Sequence, residues 1–243
     1  MEPIPLPAAL SPQSAAPESV PLLLAIDTCG PSGSVALGCI RDPQLQILGQ
    51  IELEGRSYSA TLVTAIADLL TQNKVELSNL AAIVAVNGPG SFTGVRVGLS
   101  TVKGLAEPAQ IPIIAVSRLE VLASKSGVPS SAIDAHRHEI FLRMQTPGER
   151  ARELLASSAE LAAITAAPVR IAVCDDAAAQ LLAAAWPSTG LIEAAAPTAA
   201  DALRLCASRV SARQFVDLAL LDGHYLRRSD AEIFGQPILQ HSK

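Results

Sequence analysis

The order of strand and helix patterns constrains the fold of this chain more than any other feature of its sequence. Three short apolar runs, LLLAID, GSVALGCI and LQILGQIEL, lie within residues 22–53 and are separated by Gly, Ser, Pro and Asp. Such runs are typical of strands joined by tight turns. Helix and strand patterns then alternate: a helix over 57–72, a strand over 81–86, a helix over 95–106 and a strand over 111–116. This order predicts an α/β lobe.

Two residues mark the ends of the predicted helices. Ser57 stands before the first helix, where Leu62, Ile66, Leu69 and Leu70 recur at helical spacing, so we expect it to be the N-cap. Pro108 follows the second helix and is expected to stop it, because proline lacks the backbone donor that a helix needs.

A short internal repeat predicts a second lobe. The tripeptide Ala-Ile-Asp at residues 25–27 reappears at 132–134, followed by the strand pattern EIFLRMQ. Helix, strand and helix patterns SSAELAAIT, VRIAVCD and AAAQLLAAAW come next, and an Ala-rich helix is expected near 199–209. The predicted organisation is a flexible Pro/Ala-rich extension over 1–21, an N-terminal lobe over 22–117, and a degenerate C-terminal lobe over 118–243.

Composition narrows the class of protein. Hydrophobic residues make up 49% of the 243 residues, which is enough for a substantial core. The net charge is −5 and no long Lys/Arg run is present, which argues against non-specific electrostatic binding to nucleic acid. The four cysteines are scattered without zinc-binding spacing. Neither a basic leader nor an apolar run of membrane-spanning length is present, so we expect a cytoplasmic protein that does not enter a membrane.

The end of the first strand carries a candidate phosphate-facing loop. Asp27 is followed by Thr28 and a Cys-Gly-Pro turn, and Ser34 lies in the next strand, which begins Gly-Ser-Val-Ala. Actin-like and sugar-kinase-like folds present a phosphate-facing loop in this way. A plain hairpin with an Asx-type turn is an equally good interpretation, so Asp27, Thr28 and Ser34 are candidate positions of a degenerate phosphate loop.

The segment NGPGSFTGVRVG, residues 87–98, is the most informative stretch of the sequence. Three glycines within seven residues permit unusual backbone angles and bring main-chain N–H groups to a helix start, which suits an anion. Alternatively the loop only turns a strand into a closely packed helix and docks a partner. The candidate residues for a partner interface or anion-facing loop are Gly88, Pro89, Gly90, Ser91, Phe92, Thr93, Gly94, Arg96, Gly98 and Lys103.

This loop does not have the spacing of a Walker A motif. That motif requires a lysine directly after its last glycine, whereas Gly94 is followed by Val95. We therefore reject a P-loop NTPase.

The helix after the loop contains an unusual number of glycines. Each glycine inside a helix costs about 1 kcal/mol relative to alanine, so Gly94, Gly98 and Gly104 imply tight packing against a neighbouring helix or a second protein. Arg96 and Lys103 share one helical face with Ser100, which is either solvated or turned to a partner.

The stretch from residue 87 to residue 106 closely resembles the signature of the TsaB (YeaZ) family. The segments IPIIAVSRLEVLA, IDAHRHEIFLR and YLRRSDAEIF follow in family order, so the resemblance covers residues 22–234. It implies an actin-like (ribonuclease H-like) duplicated α/β fold with two lobes, the second degenerate. It also implies a non-catalytic scaffold that pairs with a TsaD-like catalytic subunit and a TsaE-like ATPase.

The resemblance further implies a reaction and its participants. The complex would transfer threonylcarbamoyl to adenosine 37 of tRNAs that decode ANN codons. The chain would touch tRNA only indirectly and would form a homodimer when its partner is absent. Many family members carry His-Ser-Glu where this chain has Tyr58-Ser59-Ala60.

Two positions argue against catalysis by this chain. The related TsaD family bears two metal-binding histidines four residues apart, and Arg118 and Leu122 stand at the matching positions here. Neither side chain can replace an imidazole ligand, so no metal and no cofactor is expected. The alternatives that remain are a glycoprotease-type metallopeptidase and a sugar- or acetate-type kinase.

The other candidate groups show no catalytic pattern. The histidines His136, His138, His224 and His241 contain neither an i, i+4 pair nor an HExxH motif. Glu120 and Asp134 could form an acid/base pair, but nothing in the sequence brings them together.

Overall fold

The structure, a computed structural model, describes residues 20–41, 44–54, 57–146 and 148–227. Nearly all of the predicted extension over 1–21, together with His241, lies outside these described residues. None of the described helices has the length and apolar character that are needed to cross a membrane.

The first lobe is a five-stranded mixed sheet. Its strands are β1 (Leu22–Asp27), β2 (Ser32–Arg41), β3 (Gln44–Glu54), β4 (Leu80–Val86) and β5 (Ile113–Val116), in the order β3-β2-β1-β4-β5. Strand β1 is antiparallel to β2 and parallel to β4, which is parallel to β5. The helices α1 (Tyr58–Gln72) and α2 (Phe92–Ala109) connect these strands and contact each other.

The second lobe repeats this arrangement. Its strands are β6 (Ser131–Asp134), β7 (Glu139–Met144), β8 (Arg152–Ser157), β9 (Arg170–Val173) and β10 (Gly190–Glu193), and its order β8-β7-β6-β9-β10 matches that of the first sheet. The helices are α3 (Arg118–Lys125), α4 (Ser158–Ala163), α5 (Asp176–Ala185) and α6 (Ala199–Ser211). Strand β6 is again antiparallel to its hairpin partner and parallel to β9. The predicted duplicated α/β fold is confirmed.

The helix that follows each sheet packs on the other lobe. Helix α3 follows β5, and its Leu119 and Leu122 join the apolar cluster of the second sheet. Helix α6 follows β10, and its Leu203 and Cys206 are buried in the core of the first sheet. The sequence analysis assigned α6 to the second lobe, and the boundary at residue 117 stays a prediction. The chain passes from the first lobe to the second after β5 and back to the first after β10.

The core of the first lobe contains the apolar residues that the sequence predicted. Leu62, Ile66, Leu69 and Leu70 of α1 are buried against the sheet, together with residues 23–26 of β1. Burying one such side chain fully contributes about 1.5 to 3 kcal/mol. This core holds β1, β4 and β5 in place and thereby fixes the loops at their carboxyl ends.

The predicted start of α1 is confirmed in position, whereas the predicted end of α2 needs correction. Ser57 occupies the N-cap position of α1, but its hydroxyl donates to the carbonyl of Glu54 (2.9 Å) and caps no helical N–H. Helix α2 continues through Pro108 to Ala109 and ends at Gln110 in the left-handed conformation. A proline in the last turn removes only one hydrogen bond, which the buried face of α2 outweighs.

Candidate functional site

Three loops meet at one edge of the first sheet. Strands β1, β4 and β5 are parallel, so the turn after Asp27, the signature loop 87–91 and Ser117 at the start of α3 lie at the same end. Ligand sites of open α/β sheets form at the carboxyl ends of the strands. A ligand site is therefore expected at this end of the sheet.

Asp27 accepts one hydrogen bond and makes one ion pair at this edge. Its Oδ1 accepts a hydrogen bond from the Cys29 N–H (2.9 Å), and its Oδ2 lies 3.4 Å from Nε of Arg118. Both side chains of the ion pair are buried. The guanidinium lies against Gly30, where a Cβ would overlap Nη2, so a larger residue there would displace the Arg118 side chain.

The buried groups around Asp27 have shifted pKa values. Burial, the largest single effect, lowers the pKa of Arg118, but Asp27 together with Cys29, Cys174 and Tyr58 outweighs it, so the net pKa is raised and the guanidinium stays charged. Burial, reinforced by Asp27, raises the pKa of Tyr58 to about 12. Burial likewise raises the pKa of the Cys29 thiol well above its ordinary value, which makes it a poor nucleophile.

Thr28 and Ser34 are also bonded within the chain. The Thr28 hydroxyl donates to the carbonyl of Gly94 (2.7 Å), and Ser34 Oγ accepts a hydrogen bond from the Ala199 N–H at the start of α6 (2.8 Å). Both residues are buried. All three positions of the predicted degenerate phosphate loop are therefore engaged by protein groups.

The signature loop lies on the turn after β1. The Ser91 N–H donates to the Cys29 carbonyl (2.8 Å), and the Gly94 N–H donates to Ser91 Oγ (3.3 Å). A Cβ at Gly90 or Gly94 would overlap the carbonyl oxygens of Cys29 and Thr28. These contacts favour the interpretation of the loop as a close-packed turn, and two donors that an anion would need are already used.

The ten predicted residues of the loop and helix divide by exposure. Gly88, Pro89, Gly94 and Gly98 are buried, Gly90 and Lys103 are half-buried, and Ser91, Phe92, Thr93 and Arg96 are exposed. Only the last four, with Lys103, can meet a partner through their side chains.

Gly98 requires a correction. We expected its backbone to approach a neighbouring helix or a second protein, but the close neighbour is Thr28 of the same chain, whose Oγ1 a Cβ at Gly98 would overlap. The opposite situation holds at Gly104, which is exposed. Apart from the backbone of its own helix and its two chain neighbours, a Cβ there would have no heavy atom within 4 Å. The glycine that is open to the outside is therefore Gly104.

The outer faces of α1 and α2 form one exposed surface, which we call the docking surface. It consists of Ser59, Ala60, Val63, Thr64, Ala67, Thr93, Arg96, Ser100 and Gly104. Val63 is 61% exposed although it is apolar. Helix α1 has a single charged residue, Asp68. Tyr58 does not belong to this surface, because it points inward and its hydroxyl donates to the Gly30 carbonyl (2.8 Å).

A polar cluster lies between the lobes and was not predicted from the sequence. Glu153 of β8 receives hydrogen bonds from Ser117 (2.7 Å) and Arg143 (2.7 Å), and its Oε2 lies 2.8 Å from Nε2 of His224. Burial would raise the pKa of Glu153, but these bonds outweigh it and hold the pKa below its ordinary value. The cluster lines an open cavity of about 340 Å³. Its members are far apart in sequence and share no motif.

The remaining candidates are not brought together. Glu120 pairs with Arg209 (2.5 Å), whereas Asp134 pairs with the exposed His136 (2.8 Å) in the hairpin between β6 and β7. Across the described parts of the chain, no group of three or more His, Cys, Asp and Glu side chains is placed to hold a metal ion.

Several known proteins that resemble this chain carry names from tRNA threonylcarbamoyladenosine synthesis. Residues 51–167 match the family model "TsaD: tRNA N6-adenosine threonylcarbamoyltransferase". The chain is 36% identical over 125 residues to the TsaB tRNA threonylcarbamoyladenosine biosynthesis protein of Escherichia coli, which covers 49% of this chain and 52% of that protein. The corresponding Bacillus subtilis protein is 36% identical over 123 residues, with the same coverage. The chain thus spans about half the length of the curated relatives it matches.

Solved structures extend the likeness to both lobes. The structure of YeaZ from Pseudomonas aeruginosa covers 85% of this chain, and the match includes 100% of that chain with 27% identity and a TM-score of 0.67. The two matching sheets and the exchanged helices define an actin-like α/β protein. Within this class, the chain is similar to proteins of the TsaB/YeaZ family.

Proposed function

We propose that this chain is the non-catalytic subunit of a tRNA threonylcarbamoyltransferase complex. It pairs with a TsaD-like catalytic subunit, a TsaE-like ATPase completes the complex, and the product is threonylcarbamoyl on adenosine 37 of tRNAs that decode ANN codons. The observation that carries the proposal is the engagement of Asp27, Thr28 and Ser34 by protein groups, beside an exposed two-helix surface.

The nature of Arg118 and Leu122 supports a non-catalytic role. Leu122 is fully buried and apolar, and Arg118 directs its cation at the Asp27 carboxylate. Neither can coordinate a divalent metal. A metallopeptidase would need other ligands, and a kinase would need the phosphate-facing side chains that are bonded internally here. These two alternatives are therefore disfavoured.

The composition of the docking surface supports partner binding. Its residues on α1 are small or apolar, and interfaces are depleted of charge at their centre. Val63 offers an exposed apolar anchor, and Arg96 adds a residue type that is enriched at binding hot spots. The same surface would serve self-association when the catalytic subunit is absent, because a two-fold dimer uses one patch twice.

The charge of the chain supports indirect contact with tRNA. The formal net charge is −5, so the negatively charged RNA backbone is repelled by the molecule as a whole. In this proposal the catalytic subunit holds the tRNA.

The experiment is a titration of the purified chain with the TsaD-like protein of the same host. Arg96→Glu reverses a charge on the docking surface and should weaken the affinity at least tenfold, with an unchanged melting temperature. Arg170→Glu reverses an equally exposed charge on the second sheet and serves as the matched control. Equal affinities of the two variants would contradict the proposed surface, and no binding by the unmodified chain would contradict the proposed function.

A further inference from the structure

A segment near the C-terminal end of the described chain crosses from one lobe to the other. We call residues 222–227 the strap. On the first lobe, the His224 N–H donates to the carbonyl of Asn87 (2.7 Å), and the Asn87 side chain donates to the Asp222 carbonyl (3.2 Å). The strap is therefore hydrogen-bonded to the first residue of the signature loop.

The first glycine of the signature, Gly88, allows the close approach of the strap. Gly88 has a φ of +116°, and a Cβ there would lie 2.9 Å from the His224 carbonyl oxygen. Any larger residue would both strain the backbone and displace the strap. Gly88 thus differs from Gly90 and Gly94, which serve the contact with the turn after β1.

The second lobe holds the strap through two polar side-chain contacts. His224 lies 2.8 Å from Glu153, which Ser117 and Arg143 hold in place, and Arg227 pairs with Glu139. The strap is consequently fixed at both sides, which gives Tyr225, one of the two residues between these anchors, a defined position.

Tyr225, Phe92 and Arg96 are in contact at the start of α2, and we call these three side chains the stack, although the two rings are tilted by 47° and are not parallel. The Tyr225 ring lies 5.1 Å from the Phe92 ring, and Cζ of Arg96 lies 3.7 Å from the centroid of Phe92 on α2. Phe92 and Tyr225 are each 38% exposed, and Arg96 is exposed. A guanidinium that stacks on a ring keeps the donors at its edge available for a carboxylate. Among the described residues no carboxylate takes that place.

We propose that the docking surface continues onto the strap, and that the Arg96–Phe92–Tyr225 stack receives a carboxylate side chain of the protein partner. This inference rests on the proposed function and names the chemistry of the partner at the edge of the same surface. Tyr, Phe and Arg are residue types that interfaces enrich. The stack directly adjoins Thr93 of the docking surface, and an acidic chain favours a protein over an RNA ligand.

The test measures affinity for the TsaD-like protein in variants of the full chain. Tyr225→Ala should weaken binding about tenfold, because Phe92 and Arg96 lose the ring that supports them, whereas Tyr225→Phe should retain the affinity. His224→Ala keeps the aromatic ring but removes the anchor to Glu153, so a smaller loss of about threefold is expected. Leu220→Ala, at an apolar residue that is 80% exposed outside the stack, is the control.

The outcomes separate this inference from the proposed function. If Tyr225→Ala binds like the unmodified chain while Arg96→Glu does not, the strap lies outside the interface and the inference is wrong. If Tyr225→Ala instead reduces only the binding of tRNA to the chain, the stack contacts RNA and the inference is again wrong. If Leu220→Ala weakens partner binding as much as Tyr225→Ala does, the inference is also wrong. Thermal melting of each variant identifies any loss that arises from unfolding.

Discussion

Nε of Arg118 lies 3.4 Å from Oδ2 of Asp27, and both side chains are buried where the first and second lobes meet. Arg118 is the first residue of α3, which packs on the second sheet, and Asp27 ends β1 of the first sheet. A fixed cation of the chain thus neutralises the buried carboxylate of Asp27. We infer that the pair serves to join the lobes.

Arg118→Ala should destabilise the chain by about 3 to 5 kcal/mol, because it leaves the Asp27 carboxylate buried without a counter-charge. Chemical denaturation measures the loss. Arg41→Ala, at an exposed arginine, is the control and should change stability by less than about 0.5 kcal/mol. The double variant Asp27→Asn, Arg118→Met should recover part of the loss. A loss below about 1 kcal/mol for Arg118→Ala would contradict a buried, functional pair.

Gly98→Ala and Gly104→Ala should have opposite effects on stability. The added methyl group at Gly98 overlaps Thr28 Oγ1 and should cost about 1 to 3 kcal/mol, the usual cost of overpacking. The methyl group at Gly104 meets nothing within 4 Å, so the higher helix propensity of alanine should stabilise α2 by about 0.5 to 1 kcal/mol. Denaturant midpoints compare the two variants. A stable Gly98→Ala protein would show that the contact with Thr28 is not tight.

The Tyr58 hydroxyl should ionise only in strong alkali, since burial and the Asp27 carboxylate raise its pKa to about 12. The chain has two tyrosines, so the Tyr225→Phe variant isolates the signal of Tyr58. Its phenolate absorbance should rise near pH 12 while circular dichroism reports the fold in parallel. Ionisation near pH 10 in a folded protein would contradict the buried hydrogen bond to Gly30.

Glu153 should make the stability of the chain depend on acidity. Its pKa in the folded state is lowered from 4.5, so the folded state binds the proton more weakly than the unfolded state does. The stabilisation is therefore complete above the ordinary pKa and is lost as the pH falls through the folded value. The stability difference between the unmodified chain and Glu153→Gln should shrink from neutral to acidic pH. Glu54→Gln, at an exposed carboxylate, controls for the loss of surface charge. A difference independent of pH would contradict the cluster.

Local patterns made much of the fold predictable from the sequence. The alternation of apolar runs and amphipathic segments predicted β1 to β5 with α1 and α2, because burial on one face imposes a fixed period on the sequence. The repeated Ala-Ile-Asp tripeptide predicted the second lobe. Its two copies end β1 and β6, which are the central strands of the two sheets. Strands β8 and β10 were missed, since both are short, partly exposed and lack a clear alternation.

The candidate site was less predictable, because its contacts join distant parts of the chain. Spacing showed that Gly98 needs a close neighbour, but helical periodicity could not tell Thr28 of the same chain from a second protein. The bonds of Arg118 to Asp27 and of His224 to Glu153 depend on how the lobes meet. No local sequence rule contains that information.

The most direct test is a reconstituted threonylcarbamoyl transfer reaction. It combines the chain with the TsaD-like and TsaE-like proteins of its host, tRNA and threonylcarbamoyl-adenylate, and the modified nucleoside is quantified by mass spectrometry after digestion of the tRNA. We expect no product from the chain alone, full product with the unmodified chain or Ser34→Ala in the complex, and little product with Arg96→Glu. Product formed by the chain alone, or loss of product with Ser34→Ala but not with Arg96→Glu, would contradict a non-catalytic docking subunit.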